Sequence, residues 1–169
     1  MNDPGANVAR HLREAALRTP GATATLTPAG ADRNGRPIHE ARTFLELDRE
    51  SDAAARLLET EGLRPGDRAL LAVRPGHDLV VGMFALLKVG AVPVAIDPGM
   101  GLARFLDCLR SSAPIAVLGS RAATLLSRLP LRSLRAVRIR LTCGGRRWRR
   151  ATDGAAEAPR PHAPRPAGG

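Results

Sequence analysis

Three short apolar runs, at 69–73, 91–96 and 115–118, alternate with segments of helical period. Between the first two lies 79–89, apolar nearly all round, as expected of a helix packed on more than one side. Between the second and third, Leu102, Phe105, Leu106 and Leu109 mark an amphipathic helix. Strand–helix–strand units of about 20–30 residues imply right-handed crossovers and a mostly parallel sheet. The runs lack polar alternation, which suits strands buried on both faces. The expected class is α/β, a partial and mostly parallel sheet of four or five strands with helices on both faces. Val137, Ile139 and Leu141 alternate with Arg138 and Arg140, the pattern of a half-buried strand near an edge.

Upstream, Val8, Leu12, Ala15 and Ala16 share one helical face, and Pro20-Gly21 ends that helix. Residues 22–27 are short and Thr-rich, and Asn34-Gly35 is a hairpin signal that makes 35–42 the returning strand. Thr43 and Glu46 form a capping box: the hydroxyl accepts from the amide three residues on, and the carboxylate reaches back. Phe44, Leu47, Ser51, Ala54, Ala55 and Leu58 then line one face of a helix of about five turns, which Gly62 stops. Ser120 is placed to cap a helix carrying Ala122, Leu125, Leu126 and Leu129. From Gly144 onward periodicity vanishes, and 151–169 holds no large apolar residue. Residues 1–143 are therefore expected to fold, and 144–169 to form a disordered Arg/Pro/Ala/Gly-rich tail.

The net charge of +10 is unevenly placed. Residues 1–120 carry fourteen basic and fourteen acidic side chains, while 121–169 set twelve arginines against Asp153 and Glu157. Nine of those arginines lie within 128–150, around Trp148, and could neutralise phosphates while the ring stacks a base. The whole chain, however, uses arginine almost to the exclusion of lysine, so this run is compositional before it is functional. Cys108 and Cys143 make no disulfide framework and fall short of a four-ligand zinc site. The N-terminus has no apolar signal core, and Lys88, Gly90 and Pro93 break the most apolar stretch, 79–96. No transmembrane segment and a cytoplasmic location are expected.

Chemistry is sparse. A phosphate-binding loop needs glycine-rich amides followed by Lys and Ser/Thr at a helix start. The only lysine, Lys88, falls near a helix end and reads as a solvated or dipole-matched C-terminal cation. Asp97-Pro98-Gly99-Met100-Gly101 follows a strand and precedes a helix, but lacks a third glycine and reads as a connecting turn. Gly119-Ser120 reads as a helix cap rather than a nucleophile elbow, because Ala122 stands where a second glycine belongs. His11 and Glu14 make a surface pair, and His39 and His77 lie in turn regions without evident partners. No catalytic, cofactor-binding or metal-binding residue is assigned.

Four blocks in order resemble the beginning of an acyl-adenylate-forming enzyme of the AMP-dependent synthetase/ligase superfamily. They are Asn7-Val8-Ala9 through Thr19-Pro20, TFLELDRESDAAARLLETEGLRPGDR at 43–68, ALLKVGAVPVAIDP at 85–98, and the strand–helix unit around 115–126. IDPGMG at 96–101 and RSLRAVRIRLTCGGRRW at 132–148 further resemble the fatty-acyl ligase branch that includes olefin-pathway β-lactone synthetases. The resemblance covers about 7–148 and stops at the tail. It implies a large α/β N-terminal domain with a small mobile C-terminal one. It also implies reaction of ATP and a fatty-acid-like carboxylate, with Mg²⁺, to acyl-adenylate and pyrophosphate, then transfer to coenzyme A or closure to a β-lactone. The family's Ser/Thr/Gly-rich ATP loop, its aromatic–Gly–x–Thr–Glu segment, ribose aspartate, hinge and C-terminal lysine have no counterpart in this sequence. No catalytic residue carries over to any position. The expectation is the N-terminal part of an AMP-forming acyl ligase, a truncated fragment inactive alone and without a cofactor of its own. Two alternatives stand beside it: a non-catalytic partner subunit of a larger ligase, and a basic nucleic-acid or anionic-membrane binder acting through 128–150.

Overall fold

The run at 69–73 forms the centre of the molecule. In the computed structural model, which describes residues 7–96, 101–130, 134–153 and 155, it becomes β3 (Arg68–Ala72). Its residues Ala69 to Ala72 are wholly buried. β4 (Val92–Ala95) pairs with it on one side and β5 (Ala116–Gly119) on the other, and β6 (Ile139–Thr142) pairs with β5. All three pairings are parallel, in the order β4-β3-β5-β6. Period-2 alternation divides the core. Ala69, Leu71, Ala116, Leu118, Ile139 and Leu141 face one side of the sheet, and Leu70, Ala72 and Val117 face the other.

The first face is covered by α1 (Ala9–Arg18), α2 (Phe44–Thr60), α3 (His77–Val89) and α6 (Arg146–Thr152), and the second by α4 (Leu102–Ser112) and α5 (Arg121–Leu126). α2 starts where the capping box places it: Glu46 N donates to Thr43 Oγ1 (3.2 Å), and Thr43 N donates to Glu46 Oε2 (2.8 Å). Its stop is Gly62, at φ +95°. β1 (Thr23–Ala31) and β2 (Pro37–Thr43) form a separate antiparallel ribbon. Its turn closes through Gly35 N to the Asp32 carbonyl (3.0 Å), and Asp32 Oδ1 accepts from both Asn34 N and Arg36 N (2.8 Å each). Gly35 takes the left-handed conformation this loop needs, φ +77°. The expected hairpin, parallel sheet and edge strand are all present.

Two expectations change. Residues 144–153, assigned to the tail, belong to the folded body. α6 buries Trp148 (1% exposed) and Thr152, one turn apart, against the α2–α3 side of the sheet. One large apolar residue among arginines makes too narrow a stripe to register as periodicity. The rest of that segment, 154 and 156–169, lies outside the described residues. The helix capped by Ser120 is expected to carry Leu129 as well, but Leu129 lies beyond the end of α5, and Leu125 and Leu129 are 68% and 43% exposed. The helix ends at Leu126 and turns Ala123 and Thr124 inward instead.

Candidate functional site at the carboxyl end of the sheet

The strand order creates a divergence. β3 leaves through α3 toward β4, whereas β5 leaves through α5 toward β6 on the opposite side. Where the crossovers from two neighbouring strands part, the loops at the carboxyl ends of the strands leave a crevice, the usual ligand position in open α/β sheets. A cavity of about 570 Å³ lies there, lined by residues that include Arg42, Glu50, Arg74, His77, Ser120 and Cys143.

Its best-defined feature joins three elements. The Glu50 carboxylate on α2 pairs with Nε2 of His77, the first residue of α3, and with Arg42 Nε on β2 at 3.4 Å. Arg42 also holds Glu40 at 2.5 Å. Nδ1 of His77 is buried without a hydrogen-bond partner among the described residues. The expectation that His77 stands alone is therefore corrected. Its partner lies 27 residues away on another helix, a distance local spacing cannot reveal.

A carboxylate that orients an imidazole is half of a catalytic relay. Among the described residues no activated nucleophile supplies the other half. Ser120 Oγ accepts from Ala123 N (3.3 Å) as the cap of α5, as its sequence context indicates. Cys143 is held protonated: burial, then the Asp78 carboxylate, push its thiol well above the ordinary value of 9.0. Asp78 is itself engaged, accepting from Trp148 Nε1 at 2.9 Å. Gly119 is packed for contact rather than chemistry, since a Cβ there would come within 2.8 Å of Ala123 Cβ and 3.2 Å of the Ala72 carbonyl.

Lys88 is the largest departure from expectation. Far from solvated, it is 1% exposed, and its Nζ donates to Asp48 Oδ1 (2.7 Å), the Asp48 carbonyl (2.8 Å) and Asp52 Oδ1 (2.6 Å). A buried ammonium survives only when paired and fully hydrogen-bonded, and two carboxylates on the facing helix provide that. The sole lysine thus pins α3 to α2 at the helix end remote from the cavity. No set of three or more His, Cys, Asp or Glu side chains among the described residues could hold a metal ion.

The remaining sequence candidates behave more simply. His11 Nδ1 and Glu14 Oε2 meet at 3.4 Å on the surface of α1, and His39 is exposed on β2. Asp97 to Met100 lie outside the described residues. The arginine run is split in use. Arg147 pairs with Glu61, Arg140 Nε donates to the Ser127 carbonyl (3.1 Å), and Arg146, Arg149 and Arg150 are exposed. Trp148, the ring that would have stacked a base, is in the core.

A family model described as AMP-binding enzyme matches residues 12–167. The chain belongs to the AMP-binding enzyme family. Members of this family are AMP-forming acyl ligases that activate carboxylic acids with ATP through an adenylate and use Mg²⁺. The match runs past 148, further than the motifs alone suggest. An olefin beta-lactone synthetase from Xanthomonas campestris pv. campestris is 38% identical over 141 residues, 83% of this chain and 25% of that protein. A salicyl-AMP ligase / salicyl-S-ArCP synthetase from Mycobacterium tuberculosis is 42% identical over 88 residues, 52% of this chain and 15% of that one. Among solved structures, a long-chain-fatty-acid-CoA ligase from Archaeoglobus fulgidus superposes with a TM-score of 0.72 at 20% identity, over 92% of this chain and 31% of that one. A fatty acyl-adenylate ligase from Legionella pneumophila, solved with acyl adenylate and pyrophosphate, gives 0.66 at 22% identity, over 90% and 25%. The shared fold is the N-terminal part of the AMP-binding architecture. The chain spans about a quarter of the length of the olefin beta-lactone synthetases it matches. No helix among the described residues is long and apolar enough to cross a membrane.

Proposed function

We propose that this chain is the N-terminal part of an AMP-forming ligase for a fatty or β-hydroxy carboxylic acid, and that by itself it supplies scaffold rather than chemistry. The observation that carries this reading is the fate of Lys88. Adenylation needs fixed positive charge on the transferring phosphates and an aligned carboxylate. The one lysine is consumed by Asp48 and Asp52 and Arg42 is held by Glu40 and Glu50, which leaves Arg74 and Arg149 as the cavity's cations, and among the described residues the cavity holds no activated nucleophile. ATP, Mg²⁺ and the acyl acceptor, coenzyme A or the substrate's own β-hydroxyl, would then be handled by segments outside this region. Those segments lie on a continuing polypeptide or on a partner ligase chain. The 38% identity to an olefin beta-lactone synthetase favours a β-hydroxy fatty acid as substrate. A reaction that consumes ATP favours the cytoplasm.

The test is a chimera in which this chain replaces the matched 141 residues of the Xanthomonas relative. Acid-dependent pyrophosphate release with a long-chain β-hydroxy acid is expected. A folded chimera that releases none would overturn the placement.

A further inference from the structure

One long stretch of the chain has no acidic side chain. From Cys108 to Thr152 the sequence holds eleven arginines and neither Asp nor Glu. A bias toward arginine does not account for this, because it acts along the whole chain and residues 1–107 carry fourteen acidic side chains. The fold then sorts the arginines by face. Arg146, Arg147, Arg149 and Arg150 go with α6 to the first face of the sheet, where Arg147 pairs with Glu61. Arg121 opens α5 on the second face. Arg140, between the first-face residues Ile139 and Leu141, points to the second as well, and its Nε donates to the Ser127 carbonyl (3.1 Å). Arg135 and Arg138 stand exposed on either side of Val137, which is buried in the second-face core.

The same surface exposes leucines. Arg121, Leu125, Arg128 and Leu129 follow at helical spacing along α5 and the turn after it, and all four are exposed. Leu129 also stands at the rim of a groove of about 290 Å³ that Arg135 and Arg140 help to line. Arg121, Arg128, Arg135 and Arg138 make no ion pair among the described residues. Asp107, the one acidic residue of the neighbouring α4, is already held by Arg110 at 2.9 Å.

We propose that this α5 face docks on an anionic lipid bilayer, with the four unpaired arginines at the headgroups and Leu125 and Leu129 entering the acyl boundary. Charge complementarity selects the partner. Unopposed arginines set among exposed leucines match a surface that is negative on top and apolar just beneath. Nucleic acid fits less well: it would leave the leucines unburied, and Trp148, the ring able to stack a base, lies in the core. The cavity at the carboxyl end of the sheet is walled by α3, α6 and the β1–β2 ribbon, so a bilayer on the second face leaves it accessible. A long-chain acid of the class proposed above dissolves in such a bilayer. That link to substrate rests on the functional reading, whereas the binding itself does not.

Co-sedimentation of the full chain with lipid vesicles tests this. Binding is expected to vesicles of phosphatidylcholine and phosphatidylglycerol in equal parts, falling as salt rises, and not to phosphatidylcholine alone. Arg121→Gln with Arg128→Gln should weaken it about 25-fold, since each arginine at an anionic surface contributes about fivefold. Leu125→Ser should weaken it about tenfold. Both variants alter exposed side chains and should melt as the parent does. Arg146→Gln with Arg150→Gln removes the same charge from the first face and should change binding by less than about twofold. Four results would overturn the proposal. They are an equal loss from the α6 pair, which would reduce the effect to net charge; full binding by Leu125→Ser; binding to a duplex oligonucleotide but not to vesicles; and loss of vesicle binding in the chimera described above, which would show this face covered in the longer ligase. Vesicle binding by an inactive chimera would uphold the surface and count against the functional reading alone.

Discussion

Nζ of Lys88, in the last turn of α3, lies 2.6 Å from Oδ1 of Asp52, in the middle of α2. Asp48, one turn earlier on α2, completes the arrangement at 2.7 Å. This contact fixes how the two helices of the first layer meet. It also removes from phosphate chemistry the one lysine the chain has.

Lys88→Met should destabilise the protein by roughly 3–5 kcal/mol, because it leaves two carboxylates buried without their cation. Replacing Lys88, Asp48 and Asp52 together by apolar residues of similar volume should recover most of that loss. Urea unfolding of both variants checks the pair of expectations. If Lys88→Met were as stable as the parent, the buried arrangement would be wrong.

Trp148 is the only tryptophan, so its fluorescence reports on one site. It should emit as a buried indole and resist acrylamide, and adding single-stranded nucleic acid should leave it unchanged. Trp148→Ala should cost about 3–5 kcal/mol through the cavity it opens. Red-shifted emission quenched by oligonucleotide would instead revive base stacking by the arginine run.

The capping box sets an acid limit. The Thr43 backbone N–H, opposed by slight burial and helped by the Thr43 hydroxyl, holds Glu46 below its ordinary value of 4.5. A carboxyl depressed by folding contributes stability that is complete above pH 4.5 and is lost as pH falls through the lower folded value. Glu46→Gln should flatten the stability profile in that window, and Thr43→Ala should cost about 1 kcal/mol near neutrality. Thermal melts across acid pH measure both.

Cys143 acts in the opposite direction. Its thiol is raised by folding, so its contribution is complete below pH 9.0 and declines as pH climbs above that value, where the unfolded thiol ionises first. In a Cys108→Ser background, Cys143 should react with a disulfide reagent far more slowly in the folded protein than in urea. Equal rates in the two states would place Cys143 at the surface.

These residues also show where sequence is legible. The capping box, the Asn34-Gly35 hairpin and the Ser120 cap are local, each written within a few positions, and the structure contains all three. The parallel sheet follows from the alternation of short apolar runs with helical periods, and β6 shows its edge position in its own arginines. The Lys88 contacts span 36 and 40 residues, and a lysine near a helix end looks the same whether it meets solvent or two aspartates. Trp148 is hidden for a related reason. α6 buries two residues among charged ones, and only the shape of the α2–β6 surface makes that enough. The Glu50–His77 pair needs α2 and α3 in register before it exists at all.

The central claim is that this body carries the AMP-binding fold without its chemistry, and ATP–pyrophosphate exchange by the purified chain alone tests it most directly. With Mg²⁺ and a panel of straight-chain and β-hydroxy fatty acids, exchange should stay at the level of the protein-free blank. Acid-dependent exchange above that level, lost on Lys88→Met under conditions where the variant remains folded, would contradict it.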